Sequence, residues 1–485
     1  MNGRTAYLFG RCIIQNFVGQ RYYHYHTSLL PSGAKAFING QWKNALSNDT
    51  FEIINPYNNE IICECANCDI IDAENCIKGS REAYNKWSLS TTAKERGEIL
   101  ENWHYKMLEK QNELAELITL EEGKPLEEAR SEIIYSASFL KWFGEEARRI
   151  YGQIVNPASI HRTHLHTPAA ALAIGCTVIV KPAEDTPLSA LALAQIGKEV
   201  GLPDGVFNVI PADLKNTVRI AKFLCESTDV DAISFTGSSE VGKLLLLQSA
   251  NTVKRVCLEL GGNAPLIIFP SANLSTAIQG IMASKFRGSG QTCISPNRFY
   301  HAMGKLITGN GMQSNVTQGP LINEKAVQKI EKLLSNAIQN GASVILGGKR
   351  ISRSTCFQPT LLTNVTNNMD IVQNEIFGPV LAIQKFETEE EVLKMANDCR
   401  TGLAGYIFTT DYAQILRVSR NLQVGIIGVN EGVVSCPEAA FGGMKESGLG
   451  REGGSQDLLN NACFEDAAKI SSFIDNKHIP VDIYH

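Results

Sequence analysis

Residues 177–202 read TVIVKPAEDTPLSALALAQIGKEVGL, a short β-branched run, a turn bearing proline and acids, and then apolar residues recurring at helical spacing. Branched side chains favour a pleated strand, so Thr177 to Val180 is expected to be one. Asp185 or Thr186 can cap the helix that follows, Pro187 suits its first turn, and Gly201 can supply a left-handed stop. The same rhythm returns at VFNVI (Val206 to Ile210), AISF (Ala232 to Phe235) and RVCLEL (Arg255 to Leu260). Strand, helix and strand joined by right-handed crossovers predict an α/β fold with a parallel, doubly wound sheet.

Upstream, FINGQW from Phe37 to Trp42 reads as a hairpin turning at Asn39-Gly40, and folded structure is expected to begin near it. Ala93 to Glu121 carries one long helical period, with Leu100, Met107, Leu114 and Leu117 on one face. Downstream, a second α/β series runs through the helix Glu324 to Asn340 closed by Gly341, the strand Ser343 to Leu346, the helix Glu389 to Asn397 and the strand Gly425 to Asn430. Two doubly wound domains on one continuous chain are the expectation.

A chain of 485 residues buries a large core without staples. Its net charge of -5 carries no long single-sign block, which disfavours nucleic acid and anionic membrane surfaces as partners. The apolar run Ala169 to Val180 is too short for a bilayer span and is broken by Gly175. Thirteen scattered cysteines fit a reducing compartment and free thiols. Residues 1–48 contain no Asp or Glu while Arg4, Arg11 and Arg21 punctuate them, the composition of a mitochondrial transit peptide, here read as 1–33; a plain disordered tail is the alternative.

Cys293, in GQTCISPN, is the first candidate for chemistry. A cysteine is most often a small packed hydrophobe, yet a thiolate in a flexible glycine-rich loop is a strong nucleophile. Glu259, in LELGG, stands at a strand end where glycines let the chain turn into a cleft, so its carboxylate could activate water; an isolated Glu is more commonly on the surface. Lys181 and Glu184 leave a strand at the edge where such sheets bind nucleotides, and FTGSSEVG offers a tight turn at Gly237 and Ser238 at a helix start suited to an anion. The G-x-G-x-x-G fingerprint is missing. CECANC with Cys76 has metal-like spacing but no second ligand pair, and HRTHLH (His161, His164, His166) is read as a solvated joint; no metal site is expected.

KPAEDTP, FTGS, ELGGNAP, GQTC, TQGPLIN, EIFGP, GLAGY and FGGMKESGLGRE occur in one order between Phe37 and Glu452. In that order, and in the interval from Glu259 to Cys293, the chain resembles the NAD(P)-dependent aldehyde dehydrogenases, most closely the branch acting on succinate semialdehyde. The resemblance implies a Rossmann-like NAD-binding domain over 34–258 with a remnant oligomerisation arm near 150–168, a catalytic domain over 259–430 and a C-terminal return segment over 431–485. It implies NAD, or NADP, as cofactor and the oxidation of succinate semialdehyde to succinate in the mitochondrial matrix. Cys293 matches the family nucleophile, Glu259 the hydrolytic base, Lys181 and Glu184 the contacts to the adenosine ribose, and Gly237 and Ser238 the pyrophosphate turn. Glu375 with Phe377 matches the clasp on the nicotinamide ribose, Arg287 the receiver of the distal carboxylate, and Phe441 a wall of the substrate tunnel. A homo-oligomer, a tetramer, is also implied. Ser295 stands where some relatives carry a second cysteine, so a disulfide switch is not expected.

Three departures are equally legible. Residues 160–182, IHRTHLHTPAAALAIGCTVIVKP, omit a strand and the segment whose Asn would donate to the oxyanion, leaving the cofactor sheet without a central strand. After NRFYH only AMGKLITGNGMQSNV precedes TQGPLIN, and the tail beyond Glu452 differs from the strand that pairs across subunits. The open readings are therefore a succinate-semialdehyde oxidase, an enzyme for another semialdehyde or aliphatic aldehyde, and an inactive nucleotide-binding form.

Overall fold

The computed structural model describes residues 29–149, 167–296, 306–351 and 354–454. Leu29 and Leu30 are already buried in the main core, so packing starts earlier than Phe37. The hairpin forms as expected: strand Ala36–Ile38 pairs antiparallel with Gln41–Lys43. Asn39 (φ 52°) and Gly40 (φ 75°) make the left-handed turn that a two-residue loop requires.

The long helical period is divided between two helices, Ala93–Glu109 and Gln111–Glu122, because Lys110 leaves helical geometry at φ −95°, ψ 17°. Leu100, Met107, Leu114 and Leu117 are nevertheless all buried. With Leu126–Glu146 these helices cover a four-stranded sheet whose order is Gln41–Lys43, Ala36–Ile38, Phe207–Val209 and Val178–Val180. Trp103 meets Phe207 edge to face at 5.4 Å in that core.

Helix Leu188–Glu199 follows strand Val178–Val180, and Gly201 (φ 87°) closes it as the sequence suggests. Its start differs. Pro187 occupies the cap position without a side-chain bond, and Asp185 instead accepts from Asn323 Nδ2 at 3.1 Å. The orphan N–H groups of Leu188 and Ser189 donate to the carboxylate of Glu121 at 2.8 and 2.9 Å, so the cap is delivered from another helix.

Strand Ala232–Thr236 pairs parallel with Arg255–Glu259, which pairs antiparallel with Gly448–Leu449. Val178–Val180 and Ala232–Thr236 stand in separate sheets, and among the described residues no strand joins the two. The doubly wound sheet is thus two half-sheets, as the missing strand predicts. Helix Leu214–Glu226 packs on helix Ser239–Ser249 and spans the break. The Lys254 ammonium strengthens that junction by donating to the carbonyls of Leu224, Ser227 and Val230 at 3.0, 2.6 and 2.8 Å.

The second α/β series is also divided. Leu266–Ile268, Ala404–Phe408 and Ile426–Val429 form a parallel sheet. Ser343–Leu346, Thr360–Thr363 and Val380–Ala382 form another, in which the first pair is antiparallel, so this domain is mixed rather than wholly parallel. Among the described residues between Leu346 and Thr360 there is no helix, and a parallel return would need a crossover long enough to span the sheet.

Candidate active site

Cys293 follows the short 3-10 turn Arg287–Gly290, which continues from helix Leu274–Lys285. Its surroundings explain the glycines of three motifs. A Cβ on Gly262 would stand 2.2 Å from the Cys293 carbonyl oxygen, and one on Gly290 (φ 76°) would stand 2.2 Å from the Gly378 carbonyl oxygen. ELGG, GQTC and EIFGP therefore meet backbone to backbone. The fourth arrival is GLAGY, whose Tyr406 hydroxyl donates to the Ile294 carbonyl at 2.9 Å and holds the residue after the thiol.

FGGMKESGLGRE closes the cluster from the other side. Gly448 pairs with Glu259 across the small antiparallel ladder, and Ser447 Oγ donates to the Gly261 carbonyl at 2.7 Å. Phe441 and Glu452 exchange backbone hydrogen bonds of 2.7 and 2.8 Å, which set Glu452 beside the site. Cys293 is half-buried, while Glu259 is only 2% exposed.

The electrostatics follow from packing several acids around one sulfur. Burial first, then the Glu375, Glu259 and Glu452 carboxylates, push the Cys293 thiol up to about 12; its own N–H, lying against the sulfur, opposes this. Burial and Glu452 push Glu259 up to about 10, with Arg451 acting the other way. Burial alone pushes Glu452 up to about 8. At neutral pH the resting site holds a thiol and a protonated Glu259, so both must lose a proton before they can act as nucleophile and base.

Glu375 accepts from the Gly262 N–H at 3.0 Å, which fixes its carboxylate at the glycine turn. Burial raises it, while that N–H, Lys329 and Lys285 lower it. Lys285 is wholly buried and its amine is pushed down to about 7 by burial, against Glu375. Phe377 takes a left-handed φ of 54° just after the carboxylate and is partly exposed.

The proposed nucleotide contacts are divided between the half-sheets. Lys181 leaves strand Val178–Val180 and donates to Thr217 Oγ1 at 3.0 Å; burial lowers its amine and Glu184 raises it. Gly237 and Ser238 belong to the other half, where the Gly237 N–H donates to the Glu259 carbonyl at 3.0 Å. Ser238 caps helix Ser239–Ser249 by accepting the Val241 N–H at 3.3 Å, and its exposed hydroxyl proton remains available to an acceptor.

Arg287 lies half-buried with its guanidinium 5.8 Å from the centre of the Tyr135 ring. Among the described residues no carboxylate forms an ion pair with it. Sequence reasoning missed Glu452, Lys285, Tyr406 and Tyr135. Glu452 and Tyr406 lay inside quoted motifs, whereas nothing local marks Tyr135. CECANC forms strand Ile61–Ala66 leading into helix Ile70–Ser90, with Cys65, Cys68 and Cys76 buried. His161, His164 and His166, residues 150–166 of the arm near 150–168, residues 1–28, and the tail from 455 onward lie outside the described residues.

The aldehyde dehydrogenase family model matches residues 42–167 and 162–463, so the chain belongs to that family of NAD(P)-dependent oxidoreductases. The two matched pieces overlap at residues 162–167.

Among its relatives, the human protein named succinate-semialdehyde dehydrogenase, mitochondrial, is 46% identical over 457 residues, covering 86% of this chain and 85% of that protein. The Arabidopsis thaliana protein of the same name is 43% identical over 457 residues, covering 86% of each. The crystal structure of succinate-semialdehyde dehydrogenase from Burkholderia pseudomallei superposes with a TM-score of 0.84 at 38% identity, covering 88% of this chain and 96% of that one. Among the described residues no helix is long and apolar enough to cross a membrane.

Proposed function

We propose that this chain oxidises succinate semialdehyde to succinate, with NAD or NADP, through a covalent intermediate on Cys293. The observation that carries the reading is the half-buried Cys293 packed backbone to backbone against Gly262, three residues past Glu259, with a guanidinium six residues upstream that no carboxylate pairs among the described residues. The names of the relatives support the substrate, and Arg287 supplies a chemical reason for it. A fork of N–H donors recognises the distal carboxylate and distinguishes a semialdehyde acid from a plain aldehyde.

The cofactor residues fit a dinucleotide by chemistry. Glu184 can accept from ribose hydroxyls, Lys181 can donate to them, and Gly237 with Ser238 presents a capped helix start to phosphate. Glu375 stands beside Gly262, whose backbone meets that of Cys293, and with Phe377 two residues on it would hold a nicotinamide ribose. The bound nicotinamide supplies the acceptor for the hydride that leaves the former aldehyde carbon.

The protein's own steps start with deprotonation of Cys293. Its thiolate attacks the aldehyde carbon, and the carbonyl oxygen takes the electron pair as an oxyanion facing the Cys293 N–H. After oxidation, the Glu259 carboxylate takes a proton from water, the hydroxide adds to the thioester carbon, and the sulfur leaves as thiolate with succinate. Phe441 walls the approach. The missing Asn donor removes one oxyanion contact, worth about 10² to 10³ in kcat where such donors have been deleted.

We further read 34–258 as the cofactor region, 259–430 as the catalytic region and 431–485 as the return segment and tail. The leader is read as a matrix-targeting segment, with its cleavage before Leu29 because that residue packs in the core. The relatives carry "mitochondrial" in their names, which supports the compartment. A homo-oligomer is the proposed assembly.

Reduction of NAD and of NADP, followed by the absorbance of the reduced nicotinamide, with succinate semialdehyde, beside butanal and pentanal, tests the reading. A kcat/KM no higher for the semialdehyde acid would overturn the substrate, and no reduction with any aldehyde would overturn the activity. The inactive nucleotide-binding reading is favoured by one observation, the division of the nucleotide residues between two half-sheets. Calorimetry with NAD separates it: heat of binding without turnover is its signature.

A further inference from the structure

Helix Leu126–Glu146 presents Glu128 and Tyr135 two turns apart, on one face, toward the loop that carries Arg287. Glu128 accepts the N–H of Gly288, the residue directly after Arg287. Gly288 and Ser289 both adopt φ 56°, ψ 30°, an uncommon conformation for the serine, whose hydroxyl is tied to the Gly319 carbonyl at 2.8 Å. The other contact is the Tyr135 ring under the guanidinium, at 5.8 Å. Tyr135 is itself held: its ring meets Phe139 edge to face at 5.0 Å, and its hydroxyl bonds the Ser435 side chain.

We propose that Tyr135 and Glu128 are positioning residues for recognition of the substrate carboxylate, the ring seating the Arg287 guanidinium and the Glu128 carboxylate fixing the left-handed turn behind it. This rests on the reading of Arg287 as the carboxylate's partner. An aromatic face attracts a guanidinium while consuming none of its N–H donors, so the seated arginine keeps its fork for a ligand. An acidic seat would bind it more tightly but compete with the substrate. Glu128 feels the Arg287 charge only at longer range and forms no ion pair with it, since one oxygen is spent on a peptide N–H and its charge is drawn first by Lys124, which is ion-paired with Glu122 and Glu132. The selectivity of the site is therefore set in part by a helix of the cofactor region that does not touch the reacting carbon.

The test measures binding of succinate and of the uncharged butanamide by calorimetry on the full chain, which needs no turnover. Arg287→Ala is expected to weaken succinate about ten- to a hundredfold, the loss of a charge-assisted pair, and to leave butanamide unchanged. Tyr135→Leu is expected to weaken succinate about three- to tenfold with butanamide unchanged, and Tyr135→Phe, which keeps the ring, to restore it. If Arg287→Ala weakens succinate while Tyr135→Leu matches the parent protein, the positioning role is overturned and the substrate reading stands. If Arg287→Ala changes nothing, or the parent protein binds both ligands alike, both are overturned. Should Tyr135→Leu fail to fold, Glu128→Ala asks the same question: succinate weakened with butanamide unchanged supports the role, and an unchanged preference removes it.

Discussion

The two half-sheets that hold Val178–Val180 and Ala232–Thr236 are built from similar sequence and meet different fates. Strand Phe207–Val209 is wholly buried, covered by Trp103 and the helices around it. Strand Ala232–Thr236, no less β-prone, is half-exposed along its length. Beside it, helix Ser239–Ser249 buries Leu245 but exposes Val241, Leu244, Leu246 and Leu247. The difference lies in what each strand finds next to it. The first half is sandwiched by helices on the same chain, whereas the second faces a break where a strand would continue the sheet. Apolar composition alone does not bury a strand; a neighbour of complementary shape does.

The comparison can be broken most directly at the sulfur, because the half-exposed sheet is also the one whose strand end carries Glu259. Cys293→Ser should lower aldehyde oxidation by at least about 10³-fold with an unchanged melting temperature, read as NADH formation and a thermal melt. An equal loss of fold would mean that the thiol is a packing residue. Glu259→Gln should reduce steady turnover by about 10² to 10⁴ while a first burst of NADH persists. In the parent protein kcat should climb as pH rises toward about 10, since burial holds Glu259 protonated below that, and the Gln variant should lose this climb.

Stability sharpens the comparison further. Leu191→Ala, wholly buried in the first half, should cost about 2 to 5 kcal/mol in denaturant unfolding. Glu452→Gln should raise the melting temperature by a few degrees at pH 8 to 9 and hardly at pH 5. The sign follows from a folded carboxyl raised to about 8: it contributes fully below the unfolded value near 4.5 and loses that contribution as pH rises through about 8. The smallest effect is expected at Leu247→Ala, 71% exposed in the second half, which should shift stability by no more than about 0.5 kcal/mol. A large loss there would show that the exposed face is covered in solution.

What the sequence made legible was local or motif-borne. The hairpin at Asn39-Gly40 and the stop at Gly201 rest on residues whose chemistry is written next to them, whereas the roles of Glu259 and Cys293 were implied by the order of motifs in the family resemblance. The division at Lys110 was not, because the apolar period continues unchanged through a junction without Gly or Pro. The cap on helix Leu188–Glu199 was misassigned because its acceptor, Glu121, lies 67 residues away. Glu452 was passed over for a similar reason: its effect on the site comes from a backbone pairing with Phe441 that no spacing reveals.

The Gly262 contact has a mechanical meaning. With less room than one methyl group between that glycine and the carbonyl oxygen of Cys293, any slide of the Arg255–Glu259 strand is handed directly to the sulfur. The thiol thus inherits its alignment from a sheet that ends at an open seam. Loosening that seam would blunt the nucleophile without altering a single atom around it.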